Sequence, residues 1–105
     1  QAYARCVRIT RDQMENYSVD SNAFVEAEEK DLYSAIQKLE KYQPYKTFTD
    51  FRNAFENSIP VINAFFDKVM VMDENLQVRA NRLGMLQQIA AMPRELVDLS
   101  NLEGF

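Results

Sequence analysis

A chain with almost no glycine and few prolines has little means of turning sharply, and that scarcity tilts its fold class towards helices. Two glycines and three prolines in 105 residues cannot punctuate an all-β fold, so the chain is expected to be helical. The prolines that do occur sit where helices must stop. Gln43-Pro44 ends one, because the residue before proline is pushed out of helical geometry. Pro60 interrupts an apolar stretch; inside a helix it costs about 3 kcal/mol, at a helix start very little, so a break near Ser58 and a fresh start is expected. Pro93 ends or kinks the last helix. One core suits this length, and hydrophobic residues at 47% with charged residues at 27% are the balance of an ordinary globular domain.

Periodicity places the helices between those stops. From Gln1 to about Glu15, Tyr3, Cys6, Val7, Thr10 and Met14 follow the spacing of a buried stripe. Arg8 with Asp12 and Arg11 with Glu15 stand at the i, i+4 spacing of helix-surface ion pairs. NYSVDSN (16–22) reads as a loop. A second helix starts within 23–27, with Glu26, Glu28, Glu29 and Asp31 crowding its positive end. Its apolar face is Leu32, Ala35, Ile36, Leu39 and Tyr42. Thr47, spaced three from Asp50, opens a third helix as a capping box with aspartate in the glutamate place; Phe48, Phe51 and Phe55 line one side. After the break at Pro60, Val61, Ile62, Phe65, Phe66 and Val69 continue. VMVM (69–72) is apolar throughout, so period does not decide between helix end and extended connection. Asn75 is the expected N-cap of a last helix, with Leu83, Leu86, Ala90 and Val97 buried and Arg82, Met85 and Ile89 on their flanks. The expectation is an all-α bundle of four to five antiparallel helices in one domain, 1–105.

Most chemistry is excluded. There is no histidine, the commonest acid–base group, and no glycine-rich phosphate loop or nucleophile-elbow motif. Cys6 is the single cysteine, which rules out an internal disulfide and argues against structural zinc. No apolar run approaches the roughly 18 residues of a membrane span. The net charge is −4, so any grip on nucleic acid must be local. Candidates for such a surface are Arg5, Arg8 and Arg11 on the first helix and Lys68, Arg79, Arg82 and Arg94 around the last two. Each could instead brace helices or pair with a neighbouring acid. Tyr17, Tyr42 and Tyr45 stand in or beside loops, where a ring can stack on an unpaired base or cover the end of a core.

One longer stretch is more specific. AFFDKVMVMDENLQVRANRLGMLQQIA (64–90) resembles the C-terminal anticodon-binding domain of the bacterial-type glycyl-tRNA synthetase β subunit. The shared features are Phe65, Phe66 and Asp67, the run Val69 to Met72, an acidic turn, and then Arg79, Asn81, Arg82, Leu83 and Leu86. Upstream, AFVEAEEKDLYSAI (23–36) matches in order and separation. Asn75-Leu76 stands where the family usually has Asp-Pro, which keeps a cap and loses the preset first residue. Met92-Pro93-Arg94 replaces a stretch that is normally apolar.

The resemblance implies a helical domain of the DALR type, shared with arginyl-tRNA synthetase, at the C-terminal end of a longer β subunit. It implies an enzyme that joins glycine to tRNA(Gly) in the cytoplasm, with ATP and magnesium handled by an α subunit in an α2β2 assembly. This piece would then be non-catalytic, meeting tRNA, the α subunit and the rest of β, and no membrane. Phe65, Phe66, Asp67, Asn81 and Leu83 would be its structural motif, and Arg79, Arg82, Lys68, Arg5 and Arg8 its tRNA-contacting or junction-bracing residues. A helical assembly module and the corresponding domain of arginyl-tRNA synthetase are the alternatives.

Overall fold

The structure is a computed structural model and describes residues 2–41 and 47–93. Those residues form five helices: α1 Ala2–Thr10, α2 Ala27–Lys41, α3 Phe48–Glu56, α4 Ile59–Lys68 and α5 Leu76–Ala91. No strand occurs among the described residues. Tyr42, Pro44, Tyr45, Arg94 and Val97, to which the sequence reading gave roles, lie outside them.

Three boundaries follow from side-chain chemistry that the sequence displays. Thr47 Oγ1 accepts the Asp50 N–H at 3.1 Å and caps α3. Asn75 Oδ1 accepts from the N–H groups of Gln77 and Val78 at 2.9 and 3.1 Å and caps α5, so two of the unpaired donors at that end are satisfied. Pro60 falls in the first turn of α4, after a break at Ser58, where its missing N–H is not needed.

The first helix departs from expectation. It ends at Thr10, not near Glu15; there Thr10 Oγ1 donates back to the carbonyl of Cys6 at 2.7 Å, and the Gln13 N–H closes a turn on the Thr10 carbonyl at 3.1 Å. A hydroxyl bonded to the preceding turn competes with helix continuation. Met14 is therefore 98% exposed, not part of the buried stripe. Asp12 and Glu15 fall past the helix, and the ion pairs among the described residues do not include Arg8–Asp12 or Arg11–Glu15.

The core is aromatic at one end and aliphatic at the centre. Tyr3 presents its ring edge to Phe51 and Phe55, at centroid distances of 6.3 and 6.0 Å. Phe51 and Phe55 stack at 5.5 Å. The Tyr3 hydroxyl donates to the Ala90 carbonyl at 2.7 Å, so one side chain joins α1, α3 and α5 without leaving a buried polar group unpaired. Phe51, Phe55, Phe65, Leu32, Ile36, Ile62, Leu83, Met85, Leu86 and Ile89 are all sealed from solvent, and each contributes about 1.5–3 kcal/mol by burial. α1 packs chiefly on α5, and α2 on α4 and α5. α5 is the central helix: every residue from Asn81 to Leu86 is buried, so Arg82 and Met85 lie inside and not on a flank.

Candidate nucleic-acid interface

A helix whose middle is buried on all sides must find partners for its polar side chains, and those of α5 organise the chain around it. Asn81 Oδ1 accepts the Asp20 N–H at 2.7 Å while its Nδ2 donates to the Asp20 carbonyl at 3.0 Å. Two turns on, Gln87 repeats the arrangement: its Oε1 accepts the Tyr17 N–H at 2.9 Å, and its Nε2 donates to the Glu15 carbonyl at 2.7 Å. Gly84 lies between them on the same stripe. A Cβ there would stand 2.8 Å from the Tyr17 carbonyl oxygen and 3.0 Å from Val19. The loop between α1 and α2 is thus strapped flat onto α5, and glycine is what lets its backbone approach so closely. Tyr17 is half-buried in this strap and packs against the core, which is the covering role.

Arg82 is the second node. Its guanidinium donates from Nη1 to the Met70 carbonyl at 2.6 Å and to Asp73 Oδ2 at 3.4 Å, and from Nη2 to Glu29 Oε1 at 3.1 Å. The Arg82 side chain is 5% exposed and that of Glu29 not at all. Glu29 Oε1 also accepts the N–H groups of Val25 and Glu26 at 3.1 and 2.8 Å. It is the third residue of α2 reaching back over the start of its own helix, one half of a capping box. Arg82 therefore ties three pieces of chain together: the start of α2, the α4–α5 connection and α5 itself. Of the two roles open to it, contact with tRNA or bracing the junction, its geometry is that of a brace. Asp67, named with the structural motif, is exposed and outside this network.

In the sequence Glu29 is one of four acids crowding the positive end of α2. The usable signal was its place three residues after Glu26, where a helix start directs a carboxylate inward. Nothing local signalled that its cation would come from 53 positions along the chain.

The remaining candidates separate. Phe65 is buried and Phe66 half-buried, in edge contact at 5.8 Å. The Arg5 guanidinium lies over the Phe66 ring, 4.1 Å from its centroid, a cation–π contact between α1 and α4. Arg8, one turn further along α1, is exposed on the same side, and neither arginine forms an ion pair among the described residues. Lys68 is exposed too, but two helical positions from Phe66 turn it about 200° around α4, so it does not join Arg5. Arg79 is half-buried in the first turn of α5 with no ion pair among the described residues. Leu83 is core.

Burial acts on Cys6 as well: loss of solvent pushes its thiol up to about 12 from 9.0, against the lowering field of Arg5. A neutral buried thiol is a packing residue, not a nucleophile. Among the described residues no group of three acids or thiols stands close enough to hold a metal ion.

The family described as the DALR anticodon binding domain matches residues 1–102. Among curated relatives, the chain is 35% identical over 108 residues to "Glycine--tRNA ligase, chloroplastic/mitochondrial 2" of Arabidopsis thaliana, covering 100% of this chain and 10% of that protein. It is 33% identical over 92 residues to "Glycine--tRNA ligase beta subunit" of Thermodesulfovibrio yellowstonii, covering 84% of this chain and 14% of the relative. A protein of the same name from Lactobacillus acidophilus is 36% identical over 87 residues, 83% of this chain and 12% of its own length. The chain thus spans only about a tenth to a seventh of the relatives it matches.

Proposed function

The chain belongs to the DALR anticodon-binding domain family, and from that premise we propose that it is the non-catalytic tRNA-recognition domain of a glycine–tRNA ligase β subunit. In this reading it lies within a longer polypeptide and contacts the anticodon arm of tRNA(Gly). An α subunit, in an α2β2 enzyme of the cytoplasm, binds ATP and magnesium and carries out aminoacylation. The names of the relatives support glycine over arginine as the amino acid.

One observation on the molecule carries the reading. In a chain of net charge −4, Arg5 and Arg8 stand exposed on one face of α1 with no carboxylate partner among the described residues. Arg5 is held over Phe66. An arginine fixed by an aromatic ring loses less freedom on meeting a phosphate, and its planar fork suits two-pronged contact with phosphate oxygens. Arg79, at the exposed start of α5, is a second point of contact. Arg82 is not, since its guanidinium is buried and both Nη atoms are bonded inside.

The test uses the assembled enzyme with Arg5→Glu and Arg8→Glu together in the β subunit. KM for tRNA should rise about tenfold or more, with weaker salt dependence, as phosphate contacts are lost. Glycine-dependent ATP–pyrophosphate exchange should stay at the parent rate. An unchanged KM would remove tRNA recognition from this face.

A further inference from the structure

The α4–α5 connection exposes an apolar surface that the helical bundle does not use. Val69 and Val71 point into the core at 6% exposure each, while Met70 and Met72 alternate with them at 70% and 48%. Leu76 at the start of α5 is 68% exposed, and Val25 before α2 is 63% exposed. The Arg82 node brings the backbones of Met70 and Val25 together, Met72 follows Met70 by two residues with the same outward exposure, and Leu76 opens the helix that the connection leads into. The guanidinium that binds the Met70 carbonyl also binds Glu29, which accepts the Val25 N–H. The Asn75 N–H donates to Asp73 Oδ1 at 2.8 Å and folds the turn between Met72 and Leu76. Large apolar side chains clustered on a rigid base mark an interaction surface.

We infer that this patch docks onto another part of the same polypeptide, outside residues 1–105, through an apolar segment flanked by lysine or arginine. The inference rests on the reading of the chain as part of a longer β subunit. Charge argues against RNA as the occupant: Glu26 and Glu74, beside the exposed Val25 and Asn75, form no ion pair among the described residues and repel phosphates. Size argues against a separate subunit. Four side chains fall well short of the roughly 800 Å² per partner that a free-standing complex buries. A tethered segment, present at an effective concentration of about millimolar, needs no more.

The experiment places a photo-crosslinker in the assembled enzyme, Met70→p-benzoylphenylalanine in the β subunit, with Gln37→p-benzoylphenylalanine on the exposed face of α2 as control. Irradiation should join residue 70, and not residue 37, to β-subunit peptides outside residues 1–105. In the assembled enzyme without the crosslinker, Met70→Asp with Met72→Asp should speed amide exchange across residues 69–76 about tenfold. Crosslinks to the α subunit, to tRNA or only within residues 1–105, no crosslink, or unaltered exchange would each overturn the inference. The reading itself is judged separately by the Arg5 and Arg8 reversals, which lie on α1. A raised KM for tRNA with no crosslink from Met70 would retire the docking surface and leave tRNA recognition standing.

Discussion

Removing the Arg82 side chain should be among the costliest single changes to this domain, because three segments converge on it. In Arg82→Met the Glu29 carboxylate, 0% exposed, keeps the N–H groups of Val25 and Glu26 and loses the one cation that meets it among the described residues. The Met70 carbonyl loses a donor at 2.6 Å, about 1 kcal/mol. Asp73, whose side chain is 36% exposed and 3.4 Å away, rehydrates, so its share is at most about 1 kcal/mol. Stranding a buried charge dominates, and the whole should cost about 3–5 kcal/mol. Folded domains hold only about 5–15 kcal/mol, so a large part of the reserve goes. Equilibrium urea unfolding, followed by far-ultraviolet circular dichroism, reads the loss directly. Adding Glu29→Gln to Arg82→Met removes the stranded charge and should return about 2 kcal/mol, a coupling that distant residues would not show. A single variant within about 1 kcal/mol of the parent, or strictly additive costs in the double variant, would refute the node as a brace.

Gly84→Ala should destabilise by about 1–3 kcal/mol despite alanine's better helix propensity, because the new methyl meets the Tyr17 carbonyl at 2.8 Å and the strap must lift. Faster amide exchange at residues 15–20 would accompany the lowered Tm. Asn75→Ala should cost about 1 kcal/mol by leaving the Gln77 and Val78 N–H groups without their acceptor, while Asn75→Asp stays close to the parent in thermal unfolding. Cys6 should resist alkylation in the native state and react on unfolding. Its folded thiol releases its proton near 12 and the unfolded one near 9.0, so high pH favours the unfolded chain. Its contribution is intact below pH 9.0 and is lost towards 12, by up to about 1.4 kcal/mol per pH unit. Cys6→Ala should remove that slope from pH-dependent unfolding.

Helix class, the break before Pro60 and the caps at Thr47 and Asn75 were legible along the chain because each depends on residues within four positions. So was the motif carrying the family resemblance, and the aromatic pair at Phe65 and Phe66. VMVM could not be assigned from period alone. Its valines face the core and its methionines face solvent only because α4 ends at Lys68 and the connection then crosses the Arg82 node.

What the amino-acid order determined by itself was the set of helices, since hydrophobic spacing, proline and capping groups act over one or two turns. What only the tertiary structure decided was the use of the polar residues. Arg82 and Arg79 stand three apart on one helix and look alike in sequence, yet one is sealed against Glu29 and the other reaches the surface. Arg5 gained its ring from 61 positions away. An arginine becomes a brace or a contact according to which distant carboxylate, carbonyl or aromatic face folding brings beside it, and local spacing holds no record of that.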